Sequence, residues 1–394
     1  MTLATGVIAS VLSLAAAVWA GSLQTRTMLL LASRPAQVIP PPPEYVPANV
    51  TMPLAQSPLT NRQRAQIRDA LWRSPLDQQL VDYLYVDAVR KAGSGAATLP
   101  LARLLADLGW RYTPAQQNLM LRAAVDGRYA DVIDQADALL RRQKLTDQAM
   151  AILMAMEAIP QVHHLVVDRL LGDPMWGYDY LLRIGQQSLP QVIDARFRTL
   201  RVLLRTPDSV SRAELAPALE ALIANGRGRD ADTLWTMKAG SRPRDNVLRD
   251  GDFRMAAQLA GEETYIPFEW QMNQNLGYSA DPGGQGALIN WDGRGVPVFM
   301  AQLVPVESGR SYTLSIEGKA DTGKLQTLLA PVLDCGATKI AFVPLEGQSG
   351  TGHFRSMPIP VGCNMATLAV GGDIDAGRRP VSMDIARIML RPLN

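Results

Sequence analysis

The chain has 394 residues, 47% of them hydrophobic and 19% charged, with a formal net charge of +2. Such a composition excludes wholesale disorder, and the length calls for more than one domain. Near-neutrality argues against nucleic acid as a partner, because that binding needs a concentrated basic surface to displace counterions.

Residues 2–25 carry no charged side chain, and 3–20 are apolar apart from a few Ser, Thr and Gly. About 20 such residues suffice for a helix to cross a bilayer, so residues 1–34 are expected to hold a transmembrane anchor. The competing reading is a cleaved signal peptide ending near Val18-Trp19-Ala20. Against it, no Lys or Arg precedes the run. Arg26 and Arg34 follow it and pull that side toward the cytoplasm. The β region and its cysteines pull the other way, and the expectation is an inner-membrane anchor with the bulk of the chain in the periplasm. Residues 35–59 contain Pro35, Pro40-Pro41-Pro42-Pro43, Pro47, Pro53 and Pro58. Proline has no amide donor and a fixed φ, so this stretch is expected to be an extended spacer.

From 60 to 244 the apolar residues recur at helical spacing. Amphipathic helices are expected at 114–125 and 129–142, the second with Val132, Ile133, Ala136 and Leu140 as its stripe. Asp126-Gly127 between them supplies the turn. A second copy runs through 215–224, Asn225-Gly226 and 229–237, where Gly226-Arg227-Gly228-Arg229-Asp230-Ala231 echoes Gly127-Arg128-Tyr129-Ala130-Asp131-Val132. Further helices are expected at 76–91, 100–108, 146–158, 163–171 and 191–204. These hairpins resemble the tetratricopeptide-repeat class, without its full motif or a clean period. The resemblance implies an irregular α-solenoid with a face for protein partners.

From 245 to 394 the pattern changes to alternation between Gly- and Pro-bearing turns. Tyr312, Leu314 and Ile316 point one way and Thr313, Ser315 and Glu317 the other; Val381, Met383 and Ile385 repeat that period. Such alternation predicts half-buried strands in an antiparallel sandwich. The two cysteines, Cys335 and Cys363, both fall here. They are either two buried thiols or, if the domain is exported, a disulfide. No spacing matches a zinc motif.

Signals for catalysis are weak. His163-His164 are adjacent and diverge by about 100° on a helix, so they do not chelate one metal. No GxSxG, HExxH, Walker or dinucleotide motif occurs. Residues 347–352 are glycine-rich but lack the Lys of a phosphate cradle, and a hairpin loop is expected. Glu262-Glu263 sit in a turn with no sign of facing each other across a cleft. An enzyme is not expected.

The opening Asn246-Val247-Leu248 with Asp250-Gly251-Asp252-Phe253, then Pro267-Phe268-Glu269-Trp270, 306–314 and Ser382-Met383-Asp384-Ile385, resemble the jelly-roll carbohydrate-binding modules. The resemblance covers 246–394, with Arg254 standing where those modules usually carry Glu. It implies a jelly-roll β-sandwich, a polysaccharide or glycan ligand, and a structural calcium at Asp252 and Asp384, with no other cofactor. Sugar binding needs aromatic faces and amide or carboxylate side chains. Trp291, Trp270, Tyr278, Gln271 and Asn290 are the candidates, with Asn273 and Asn275 nearby. Phe268, Trp270 and Met272 share one strand face and are expected in the core, whereas Trp291, at a turn before Asp292-Gly293, is expected as the exposed platform.

The expected fold class is therefore a transmembrane helix at 1–34, a spacer at 35–59, a tetratricopeptide-like α-solenoid at 60–244 and an antiparallel jelly-roll sandwich at 245–394. The expected function is a non-catalytic envelope protein, contacting glycan through the sandwich and proteins through the solenoid, in exopolysaccharide or capsule assembly. The rival is a structural assembly subunit whose sandwich mediates protein contacts.

Overall fold

The computed structural model describes residues 59–92, 98–108, 113–185, 188–284, 286–345, 351–373 and 379–393. Two compact units emerge, Met1–Gly177 and Tyr178–Asn394.

In the first unit the helices are Asn61–Arg73, Gln78–Ala92, Leu99–Leu108, Thr113–Val125, Tyr129–Arg141, Thr146–Ala158 and His163–Leu171. Each packs on the next, and Tyr129–Arg141 also touches His163–Leu171. The first helix starts with a capping box, Thr60 and Gln63 exchanging side-chain-to-backbone bonds. The stripe predicted for Tyr129–Arg141 is buried in full. Asp137 on that helix is a buried hub: it accepts the Trp176 indole N–H at 2.8 Å and pairs with Arg141 at 3.0 Å. Asp87 does similar work near the start, accepting the Leu59 amide and pairing with Arg64 and Lys91. Burial pushes its carboxyl up, but these bonds and charges outweigh it and leave the pKa lowered.

The predicted Asp-Gly turn closes as a Schellman motif. Gly127 adopts φ 71°, its amide bonds Ala124 O, and the Arg128 amide bonds Ala123 O. In the second unit Gly226 has φ 74°, its amide bonds Ile223 O, and the Arg227 amide bonds Leu222 O. The echoed residues therefore do the same job: Arg128 pairs with Asp131, and Arg227 with Asp230.

The second unit holds helices Pro190–Leu203, Arg212–Ala224 and Gly228–Ala239, and then the β region. Arg196 is buried between helices, donating to the Tyr180 and Leu181 carbonyls with its guanidinium 4.4 Å from the Tyr180 ring centroid. The strands are β1 Gln271–Met272, β2 Gln274–Asn275, β3 Tyr278–Gly283, β4 Gly286–Trp291, β5 Val298–Pro305, β6 Tyr312–Ala320, β7 Leu329–Asp334, β8 Lys339–Leu345, β9 Thr351–Ser356, β10 Met365–Gly372 and β11 Val381–Pro392. Their order is β1-β5-β10-β7-β8-β9-β6-β11-β4-β3-β2, with every pairing antiparallel. The predicted alternation appears directly, since Tyr312, Leu314 and Ile316 are buried while Thr313, Ser315 and Glu317 are half-exposed.

Two segments pass from one layer to the other and close the edges. In β8, Lys339 to Ala341 pair with β7, and Phe342 to Leu345 pair with β9. Opposite, β1 pairs with β5 and β2 with β3, while Asn273 between them donates to Phe299 O and accepts from the Ala280 amide. The result is a flattened, nearly closed barrel with few free edges. A bulge in β11 between Ile385 and Arg387 is fitted by glycines on both neighbouring strands. A Cβ on Gly286 would stand 2.3 Å from Ile385 O, and one on Gly318 2.2 Å from Asp384 O.

The expected fold class needs one correction. Among the described residues no helix is long and apolar enough to cross a membrane. The fold is a helical region followed by an antiparallel, barrel-like sheet, and the transmembrane helix is removed from it. Residues 1–58, which include the uncharged run and the proline-rich stretch, lie outside the described residues.

Candidate functional site

The Asn246–Phe253 motif is a structural lock. Buried Asn246 accepts the amides of Leu248 and Leu390 on Oδ1 (3.1 and 2.9 Å) and donates from Nδ2 to Ile388 O. Gly251 O accepts the Ile388 amide at 2.7 Å, and a Cβ there would lie 2.4 Å from Ile388 O. Asp250 caps the Met255 and Ala256 amides at 3.0 and 2.7 Å. Burial raises its pKa, partly opposed by those amides. Phe253 takes a left-handed φ of 61°, and its ring lies 5.4 Å from that of Trp270. Asn246, Gly251 and Phe253 tie the start of the β region to its last strand or to its core, and Asp250 caps the short helix that follows.

The two positions expected for calcium do different work. Asp252 pairs with Arg254 at 2.9 Å on the surface. Asp384 sits on β11 in register with Leu288 and Lys319. Among the described residues no group of three or more His, Cys, Asp or Glu is gathered to hold a metal. A hard cation needs six or more oxygens, and these two aspartates are not joined by them.

Cys335 and Cys363 form a disulfide with Cα atoms 5.8 Å apart. It joins the residue after β7 to the turn before β10, two strands already paired through Thr367 and Asp334. Both cysteines pack against the barrel core.

The five expected ligand residues separate. Trp291, Tyr278 and Asn290 line one cleft of about 520 Å³, together with Asn275, Ser279 and Ser382. Trp270 and Gln271 line another, of about 310 Å³. Within the first, Asn290 points outward and accepts the Ser382 hydroxyl at 3.1 Å. Asp292 and Asp321 complete a lining of amide, hydroxyl and carboxylate groups.

Trp291 is not the exposed platform expected of it. It is 3% exposed, its indole N–H is given to Arg294 O, and its ring meets Phe299 edge-on at 5.7 Å. The six-membered ring lies against Gly372, where a Cβ would be 2.9 Å away. The physical reason is parity: on β4, Ala287, Ile289 and Trp291 alternate inward, leaving Leu288 and Asn290 outside. Trp270 is buried as expected, donating its N–H to Asp250 O at 2.7 Å.

The second cleft contains a carboxylate that sequence reasoning passes over. Glu269 is 7% exposed and pairs through Oε2 with Arg212 at the start of helix Arg212–Ala224, while its Oε1 has no hydrogen-bond partner. Arg212 also pairs with Glu262. Burial raises the Glu269 pKa to about 7; Arg212 pulls it down, and Glu262 and Asp250 push it further up. The available signal is Phe268-Glu269-Trp270, a carboxylate between two core aromatics. Asp232 on helix Gly228–Ala239 holds Arg242 and buried Arg249. Burial and then Arg242 lower the Arg249 pKa to about 10, with Asp232 opposing.

A third cleft, of about 390 Å³, lies between helix Arg212–Ala224 and the outer face of β5 and β10. Its lining includes Ala301 and Leu303 of β5, Thr367 of β10, Tyr265, Gln271, Gln302 and Glu220. Tyr265 is 51% exposed, and its phenol pKa is raised by partial burial and then by the Glu220 carboxylate. In the sequence nothing marks Tyr265 beyond its place shortly after the turn at Glu262-Glu263.

No protein-family model matches this chain, and no curated protein matches it.

Proposed function

We propose that this is a non-catalytic protein of the cell envelope whose β region recognises a polysaccharide or glycan and whose helical region docks protein partners, in exopolysaccharide or capsule assembly. The observation that carries the reading is the open cleft where Tyr278 and Asn290 meet Asn275, Ser279, Ser382 and Asp321. Converging amide, hydroxyl and carboxylate groups match the alternating donors and acceptors of sugar hydroxyls. The likeness of 246–394 to jelly-roll carbohydrate-binding modules supports the ligand class. The helical hairpins, like those of tetratricopeptide repeats, support a protein-docking role. A disulfide in the β region supports a location outside the cytoplasm, where such bonds persist.

Calorimetric titration of the protein with the host's surface polysaccharide tests the reading. Saturable binding that weakens in Asn290→Ala, with the unfolding midpoint unchanged, is expected. Absence of binding at millimolar sugar would refute it.

A specific observation favours a second reading, a structural assembly subunit. Both tryptophans of the expected glycan site are core residues, and the β5–β10 layer is partly covered by helices of its own unit. The Arg229 side chain donates to Val306 O, and a Cβ on Gly228 would meet Met365. Partner capture that persists in a variant unable to bind sugar favours this second reading.

A further inference from the structure

Stacking on a pyranose needs an aromatic face open to solvent, and neither tryptophan provides one. Among the described residues of the β region, Tyr265 is the aromatic side chain that is more than half exposed; the other large apolar groups as exposed as this are aliphatic. It lines, half exposed, the cleft that Ala301 and Leu303 also line. We propose that this cleft is a sugar-binding subsite in which the Tyr265 ring stacks on a neutral hexopyranose and Glu220, Gln271 and Thr367 take its hydroxyls.

Three features support the assignment. The volume, about 390 Å³, falls within the ~300–1,000 Å³ of small-molecule sites. Gln271 and Glu220 offer acceptors, and Gln302, also in the lining, keeps a buried amide nitrogen without a partner. The Gln271 amide nitrogen already donates to Ile266 O and Glu269 O at 2.9 and 3.2 Å, which leaves its carbonyl oxygen as the group on offer. Glu220 accepts only, and Thr367 does either. A ligand rich in hydroxyls suits that set. The charge then selects among sugars: Glu220 is in the lining and no Lys or Arg is, so uronate, sulfate and phosphate groups are disfavoured. The proximity of Glu220 to the Tyr265 phenol, which its charge helps to hold protonated, puts carboxylate and ring on one ligand-sized site.

The subsite rests on the proposal that the β region recognises glycan, and the test separates the two. The full-length protein is titrated with neutral gluco-, manno- and galacto-oligosaccharides and with an oligogalacturonate, followed by calorimetry. At least one neutral oligosaccharide is expected to bind, with Tyr265→Ala weakening it at least about tenfold, the loss of an aromatic anchor. Tyr265→Phe keeps the ring and should stay close to wild type, and Glu220→Lys should weaken neutral binding while admitting the uronate. Unfolding midpoints of all variants show whether each is folded. Unchanged affinity in folded Tyr265→Ala overturns the subsite; if Asn290→Ala then abolishes binding, the glycan reading survives without it. Preference of the wild type for oligogalacturonate overturns the ligand class. No binding of any of these probes by the wild type overturns the subsite, while titration with the host's surface polysaccharide decides the glycan reading.

Discussion

Replacing Glu269 by Gln should remove a pH dependence that the wild-type protein carries. The carboxyl is 7% exposed, and burial lifts its pKa from 4.5 to about 7 despite the adjacent Arg212. A raised carboxyl pKa means the folded state holds the proton more tightly than the unfolded chain. Its contribution is therefore fully present below the unfolded value and is lost as pH rises through the folded one. A pKa difference of one between folded and unfolded states corresponds to about 1.4 kcal/mol, so the ceiling on this loss is ~3 kcal/mol between about pH 4.5 and pH 7. The glutamine side chain would have the same shape and no proton to lose. The variant should match wild type near the acid end and become more stable by about 1–3 kcal/mol at neutral pH and above, the lower figure allowing for relaxation around the ionised group. Urea midpoints for both proteins at about pH 5, 6, 7 and 8 provide the measurement. Taking the difference removes Asp250, whose raised pKa gives a slope of the same sign in both proteins. A difference that stays constant with pH, or that favours wild type increasingly toward pH 8, would show that Glu269 ionises without cost and that the Arg212 pair dominates.

Trp291→Ala should destabilise the protein by roughly 3–5 kcal/mol, the cost of emptying an aromatic core site. Chemical denaturation reads this, and an unchanged midpoint would return the indole to the surface. Cys335→Ser with Cys363→Ser opens a bridge spanning 28 residues, for which the chain-entropy model gives a loss of about 3.5 kcal/mol. Denaturation of the oxidised wild type beside the double variant checks it, with free-thiol titration confirming the starting state.

The period of the apolar residues was enough to distinguish helix from strand. Val132, Ile133, Ala136 and Leu140 needed only their spacing to be read as a buried stripe, and Tyr312, Leu314 and Ile316 only their alternation. The two Gly-centred hairpin turns were legible for the same local reason, since each forms within a short span of chain. The cysteine pairing left few alternatives because the chain has only two cysteines. Trp291 shows where local reading stops. A turn following it suggested exposure, but which parity of β4 faces inward is set by β11, which pairs with it, and by Phe299 of β5, both from later parts of the chain. Arg212 and Glu269 lie 57 residues apart, and no periodicity links a helix start to a loop after it. Tyr265 gained its cleft only when helix Arg212–Ala224 came to rest over Ala301 and Leu303. Edge closure through residues 271–275 and β8 likewise depends on strand order, which a short window of sequence does not contain. By itself the sequence determined where the helical part gives way to strands, most of the longer helices and the two Gly-centred turns, because those follow from side-chain spacing and backbone preference over a few residues; it passed over Asn61–Arg73 and the short helices within the β region, Arg254–Gln258 and Leu325–Leu328. Tertiary structure alone decided that Trp291 is buried and which carboxylates meet cations, because that burial and pairing depend on groups brought together from distant positions.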